Sequence, residues 1–176
     1  MSSIKDMKQI STQKGDTGYT RNYSNKKLIK TNLLFHVLGD MDELSSSLGL
    51  AYHHSTMKDE IRIIQTVLQK INSVIATDDY SKLNEEFFVK ESDLAWLETQ
   101  SQSILNYTVI EPVFILPGSD TSLEGAYFDM ARSITRRVER SLVSLHEDTN
   151  KEELLLSMKY LNRLSDYLFV VARYKK

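Results

Sequence analysis

Along most of this chain apolar side chains recur at steps of three and four, the spacing that lines one face of an α-helix. Met41, Leu44, Leu48 and Ala51 form the first such stripe. It predicts a helix beginning near Asp40, with Asp40 and Glu43 at the spacing of a capping box. Ile61, Ile64, Leu68, Ile71 and Ile75 predict a second helix from about Met57 to Ile75. Phe87, Leu94, Leu97 and Ile104 predict a third over roughly Asn84 to Leu105. The run Phe114-Ile115-Leu116-Pro117-Gly118 stops any helix, and Thr121 with Glu124 opens the next. That fourth helix carries Leu123, Tyr127, Met130, Ile134, Val138 and Leu142 in one stripe and runs to about Leu145. Asn150 with Glu153 opens a fifth, striped by Leu154, Met158, Leu161, Leu164, Leu168 and Ala172.

Two prolines and six glycines leave few interruptions, so the helices are expected to be long. Only Thr108 to Leu116 reads as extended. The first 30 or so residues are polar, contain Gly15 and Gly18, and read as a loop-rich arm. The expected fold class is all-α: a five-helix up-and-down bundle, ferritin-like, with that arm at its N-terminus. No internal repeat or linker divides the chain, so residues 1–176 are expected to form one domain, with the arm at 1–30 and the bundle at 31–176.

Composition narrows the classes. Apolar residues make up 41 % and charged residues 26 %, enough to build a core and too apolar for wholesale disorder. A formal net charge of -2 offers no global excess to draw in nucleic acid, so any anion site must be local. The absence of cysteine excludes disulfides, thiolate nucleophiles and Cys-ligated metal sites. No apolar run reaches the ~18 residues that span a bilayer. Met1 to Ile10 lacks an apolar secretory core and carries Asp6. A cytoplasmic protein without membrane or nucleic-acid partners is expected.

Charge concentrates in the fourth helix, where Arg132, Arg136, Arg137, Glu139 and Arg140 fall close together. At about 100° per residue, Arg132, Arg136, Glu139 and Arg140 share a stripe apart from the apolar one, and Arg137 flanks it. Guanidiniums this close repel one another unless an anion or carboxylates intervene. Their planar forks of donors suit a polyphosphate. A solvated face of local Arg–Glu pairs would show the same spacing.

In the arm, the run Thr12-Gln13-Lys14-Gly15-Asp16-Thr17-Gly18-Tyr19-Thr20 could set backbone N–H groups and hydroxyls around phosphates. It lacks the Gly-Lys-Ser/Thr ending and preceding strand of a Walker A loop, and a flexible polar turn is the alternative. Asp42 and Glu43 are expected in a first helical turn, where the helix dipole favours carboxylates whatever the function. An arginine across a subunit boundary is the other use for Asp42. Asn162, Asp166, Phe169 and Arg173 share a stripe beside the apolar one, as on a site-lining helix or on any bundle helix. His36, His53, His54 and His146 keep no ligand-type company, and the paired ExxH motifs of a di-metal bundle are absent. No metal held by protein side chains is expected.

Five of these segments carry a resemblance. Thr12-Gln-Lys-Gly-Asp-Thr-Gly18, Gly39-Asp-Met-Asp42-Glu43-Leu44 and Phe114-Ile-Leu-Pro-Gly118 come first. Ala131-Arg132-Ser-Ile-Thr-Arg136-Arg137-Val-Glu139-Arg140 and Tyr160-Leu-Asn162-Arg163-Leu-Ser165-Asp166-Tyr-Leu-Phe169 follow in order. Together they resemble the signature segments of the PduO-type ATP:cob(I)alamin adenosyltransferases.

The resemblance implies transfer of the 5′-deoxyadenosyl group of ATP to Co(I) of a reduced corrinoid, giving adenosylcobalamin and triphosphate. It implies a homotrimer with active sites between subunits, working beside a cobalt reductase and an adenosylcobalamin-dependent enzyme. ATP, carrying Mg²⁺ on its phosphates, would be held by Thr12, Lys14, Gly15, Asp16, Gly18, Thr20 and Lys30 of the arm. Arg132, Arg136, Arg137, Glu139, Arg140 and Asn162 would complete the nucleotide site. The catalytic positions would be Phe114, Arg132 and Asp42. Phe114 matches an aromatic that displaces the lower axial ligand of cobalamin, and Asp42 matches a carboxylate that pairs across the interface, with Arg132 as its candidate partner. The chain departs from the family pattern at Ser45, Ser119 and Asp129, where Asn, Gly and His are usual. Those departures keep open a non-catalytic sensor or delivery protein of the same fold that binds ATP or adenosylcobalamin.

Overall fold

Asn32, not Asp40, opens the first helix. In the computed structural model, which describes residues 3–11, 13–118 and 122–174, the Asn32 side chain accepts the Leu34 N–H at 3.0 Å and α1 runs as Leu33–His54. The run Leu33 to Leu38 is nearly all apolar, so it carried no visible period. The carboxylate of Asp40 is used elsewhere and accepts the Ser141 hydroxyl at 2.8 Å. Asp42 and Glu43 therefore sit in the third turn, where the dipole no longer explains them.

α2 spans Lys58–Ala76 and places Asp59 and Glu60 in its first turn. α3 is Glu91–Leu105, shorter than predicted: Asp93 accepts the Lys90 N–H at 2.9 Å and fixes the start there. Of the preceding residues, Glu85–Phe87 form only one 3-10 turn. α4 is Leu123–Thr149, opened by the Ser122 hydroxyl, which accepts the Gly125 N–H at 3.2 Å. Thr121, expected in that role, lies outside the described residues, as does Ser119. α4 closes on Asn150, which takes the left-handed conformation (φ 52°) and donates its N–H to the His146 carbonyl at 2.7 Å. Asn150 thus ends one helix instead of starting the next. A 3-10 turn at Glu152–Leu154 leads into α5, Leu155–Arg173.

Residues 108–116 form no strand. Among the described residues the single sheet lies in the arm, where β1 (Tyr19–Arg21) pairs antiparallel with β2 (Lys27–Ile29). Thr20 sits opposite Leu28 and Arg21 opposite Lys27.

α4 is the central element and packs against α1 and α5; α1 also packs on α2, and α3 on α5. Met41, Leu44, Leu48, Val138, Leu142, Leu161, Leu164 and Leu168 are all fully buried. Each such side chain contributes about 1.5–3 kcal/mol through removal from water. The inner face of α4 is rotated slightly from the predicted stripe: Phe128 and Ala131 are buried, while Leu123 and Met130 are 60 % and 50 % exposed. That rotation carries Asp129 inward. Asp40 meets Ser141, and His54 stacks on Tyr127 at 5.0 Å, so α1 and α4 run antiparallel. The ends of α2 and α4 therefore share one end of the bundle, where Lys151 donates to the Thr77 carbonyl at 3.0 Å. No described helix is long and apolar enough to cross a membrane.

Candidate functional site

The charged residues of α4 divide by face. Arg137 turns toward α1: its Nε lies 3.3 Å from Asp40 Oδ1, and its Nη2 donates to Glu43 Oε2. Glu139 turns toward α5 and accepts from Asn162 Nδ2 at 2.8 Å. Arg132 is held only loosely, its Nε 3.8 Å from Asp129 Oδ1. Arg136 and Arg140 are exposed, and their guanidiniums carry no hydrogen bond or ion pair among the described residues. Local pairing thus takes up Arg137 Nε and Nη2, whereas its Nη1, Arg136, Arg140 and the Nη edge of Arg132 remain unengaged among the described residues. Those are the groups a phosphate could use.

Two acidic residues on these helices have contrasting surroundings. Asp129 is 4 % exposed and accepts from Arg173 Nη1 at 2.7 Å. The sequence marked Asp129 only as a departure from a family pattern; the structure gives it two guanidinium neighbours. Asp42 is exposed and has no side-chain partner among the described residues, which leaves it open for the expected pairing across a subunit interface.

The arm forms a second cationic region. A cleft of about 390 Å³ is lined by Lys14, Gly15, Thr17, Thr20, Arg21 and Lys27, among others. Gly18 has φ +81°, a conformation glycine adopts without steric cost. At Gly15 a Cβ would fall 3.0 Å from Lys30 Nζ, so the missing side chain lets the lysine lie against the loop. Lys14, Gly15, Thr20 and Lys30 are thereby gathered, with Asp16 and Gly18 in the turn between them. Thr12 lies outside the described residues. Arg21 and Lys27 are additions that sequence reading missed; the hairpin register that sets them opposite each other was their only signal.

The arm and the arginine helix are not bonded to each other among the described residues. The hairpin docks on the end of α2, through Tyr23 N–H to the Ala76 carbonyl at 3.0 Å. No hydrogen bond or ion pair joins it to α4 among the described residues. The end of α4 lies near that docking point, and the arginines lie from roughly 14 Å (Arg140) to roughly 26 Å (Arg132) further along the helix at ~1.5 Å per residue.

The third region is the long connection between α3 and α4. It exposes Val109, Val113, Phe114 and Leu116 at 94 %, 61 %, 88 % and 63 %. Exposed apolar side chains clustered on a long loop mark a binding surface rather than a packing one.

Unengaged guanidiniums, a glycine-bearing basic cleft and an apolar loop on a helical bundle define a class of protein that binds a polyanion together with a large apolar ligand. Comparison with known proteins narrows that class. The family model described as cobalamin adenosyltransferase matches residues 10–175, and the chain belongs to that family. It is 33 % identical to the corrinoid adenosyltransferase MMAB of Mus musculus, over 94 % of this chain and 72 % of that protein. It is 29 % identical to a corrinoid adenosyltransferase of Citrobacter freundii, over 95 % of this chain and 94 % of that protein. A PduO-type ATP:corrinoid adenosyltransferase from Lactobacillus reuteri, solved with cobalamin and ATP as a phenylalanine-to-alanine variant, superposes with a TM-score of 0.83 at 30 % identity. That match covers 94 % of this chain and 92 % of the other.

Proposed function

We propose that this protein transfers the 5′-deoxyadenosyl group of ATP to the Co(I) of a reduced corrinoid, as a cytoplasmic homotrimer with each active site shared between neighbours. One observation carries the reading: of two cationic, phosphate-suited regions, one docks on the end of α2 and the other lies along α4, and no hydrogen bond or ion pair among the described residues joins them. A ligand that needs both is best served by the arm of one copy and α4 of the next. Membership in the cobalamin adenosyltransferase family supports the chemistry.

Co(I) is the nucleophile. It attacks the ribose 5′ carbon, a cobalt–carbon bond forms, the 5′ carbon–oxygen bond breaks, and triphosphate departs with the electron pair. Cobalt ends formally as Co(III). The protein supplies positioning and charge stabilisation, without a nucleophile of its own. Lys14, Lys30 and the arm's N–H groups hold one end of the polyphosphate, while Arg132, Arg136, Arg137 and Arg140 hold the other. Glu139 and Asn162, already bonded to each other, line the nucleotide beside them. Mg²⁺ would ride on the phosphates, because the carboxylates of the site, Asp16 and Glu139, stand apart on the arm and on α4. Asp42, without a side-chain partner among the described residues, pairs with Arg132 of a neighbour. Phe114 supplies an apolar wall against the lower face of the corrinoid. With the axial base kept away, the orbital that must be filled falls in energy and reduction to Co(I) becomes easier.

At the departure Asp129, Arg173 meets the buried carboxylate at 2.7 Å and leaves Arg132 only a loose contact with it at 3.8 Å. The test is turnover: ATP and chemically reduced cobalamin are mixed with the protein, and absorbance follows Co(I) becoming an alkylcobalt species. Binding of ATP without that change would leave the protein a sensor or carrier.

A further inference from the structure

A polar cluster lies at the end of the bundle away from Arg132, and the chemistry proposed above does not use it. At its centre is Asn22, in the turn of the hairpin and only 7 % exposed. Its Oδ1 accepts the Lys26 N–H at 2.8 Å, which closes the turn, and its Nδ2 donates to Asp78 Oδ2 at 2.6 Å, which docks the turn on the bundle. Two further bonds run the same way: Asp78 N–H donates to Ser24 Oγ at 2.8 Å, and Tyr23 N–H to the Ala76 carbonyl at 3.0 Å. Lys151, in the link between α4 and α5, lies 3.4 Å from Asp78 Oδ1. One carboxylate therefore joins three segments distant in sequence.

Such a cluster matters because the hairpin cannot hold itself. Its strands are three residues long, and an isolated two-stranded hairpin is marginal in water at best. Its side chains are exposed or half-buried apart from Asn22. The position of Thr20 and of the basic cleft is thus set by docking, and the docking is polar.

We propose that Asp78, through Asn22 and Lys151, is a positioning residue that clamps the nucleotide arm and thereby sets the affinity for ATP. The proposal rests on the arm being the nucleotide-binding element. A clamped arm loses its freedom when the chain folds; a loose one must lose it when ATP binds, and affinity falls accordingly. The effect belongs to KM for ATP, because Asp78 touches no substrate.

The test uses full-length protein and three variants. Asp78→Ala removes the clamp. Asn22→Asp sets two carboxylates against each other. Asn22→Asp combined with Asp78→Asn reverses donor and acceptor while leaving an oxygen for the Lys26 N–H and another for Lys151. Each single variant is expected to raise KM for ATP roughly ten-fold, the loss of one hydrogen bond to a charged group, with kcat and KM for the corrinoid near wild type. The combined variant recovers the wild-type KM. Amide hydrogen exchange without ATP supplies the independent readout: residues 19–29 exchange faster in the single variants and return to wild-type protection in the combined one. Unchanged exchange in Asp78→Ala, or faster exchange with unchanged KM for ATP, overturns the clamp while the reading of the arm stands. Wild-type protein that neither binds nor turns over ATP defeats the reading of the arm itself.

Discussion

Replacing Asp129 by alanine should destabilise this protein more than most single changes, and the structure says by how much. The Asp129 and Arg173 side chains are 3 % and 8 % exposed and 2.7 Å apart. Deleting one partner of such a pair leaves a buried charge uncompensated, which costs about 3–5 kcal/mol. Arg173 keeps two lesser contacts, to the Phe169 carbonyl at 3.2 Å and over the Phe169 ring at 4.1 Å. The low end, ~3 kcal/mol, is therefore expected. For a chain of this length that lowers the melting temperature by roughly 6–12 °C. Removing both charges, with Asp129→Ala and Arg173→Met together, leaves nothing unpaired and should restore more than half the loss. The assay is thermal unfolding followed by far-ultraviolet circular dichroism, at one protein concentration because association would itself shift the midpoint. A double variant no more stable than Asp129→Ala alone would refute the idea that Asp129 acts as a counter-ion.

Three further outcomes are expected. Phe114→Ala keeps nucleotide affinity but loses most turnover, and melts within about 0.5 kcal/mol of wild type because the ring is 88 % exposed; equal losses of binding and turnover would deny it the role of corrinoid wall. Arg137→Ala weakens ATP by ~1.5–3 kcal/mol in calorimetry, and unchanged affinity would remove Arg137 from the site. On the alkaline side, burial pushes the Tyr80 hydroxyl up to about 12 and raises Tyr160 and Tyr167 further. A raised folded-state value means stability is intact below the ordinary tyrosine range and is lost as pH rises from about 10 toward 12. Denaturant titrations across that range should show it, and a flat profile would contradict the burial of these rings.

The helical body was legible because burial in a bundle imposes a period. Ile61, Ile64, Leu68, Ile71 and Ile75 were read as one face and are all buried. Helix ends were less legible. The pattern at Asp40 and Glu43 looks like a cap, but those carboxylates serve Ser141 and Arg137 on another helix. Asn150 and Glu153 fit the same pattern, yet Asn150 takes the left-handed conformation that ends α4. Two residues three apart cannot distinguish these uses; only the neighbouring helix does. The candidate site was nominated from contiguous motifs, in the arm and in α4. It was illegible where it rests on contacts between distant segments. Asn22 meets Asp78 across 56 positions and Asp129 meets Arg173 across 44, and neither pairing leaves a trace in local spacing.

The separation of arm and arginine helix makes one more prediction that does not depend on any single residue's role. Suppose one variant loses the arm's function, through Thr20 and Lys30, and another loses that of α4, through Arg136 and Arg140. Each is inactive alone if both regions are required. When the two chains are co-expressed in equal amounts and assort randomly in a closed ring, a site needs an intact arm from one copy and an intact α4 from its neighbour. The first condition selects one chain type and the second selects the other, so about a quarter of the sites recover, whatever the number of copies in the ring. If arm and α4 of the same chain served one site, every site would contain a defect and no activity would return. Recovery near a quarter of wild-type turnover, alongside two silent parents, is the expected result. Silence in the mixture, with mixed oligomers verified by differential tagging, would place both halves of the site on one chain and overturn the shared-site reading.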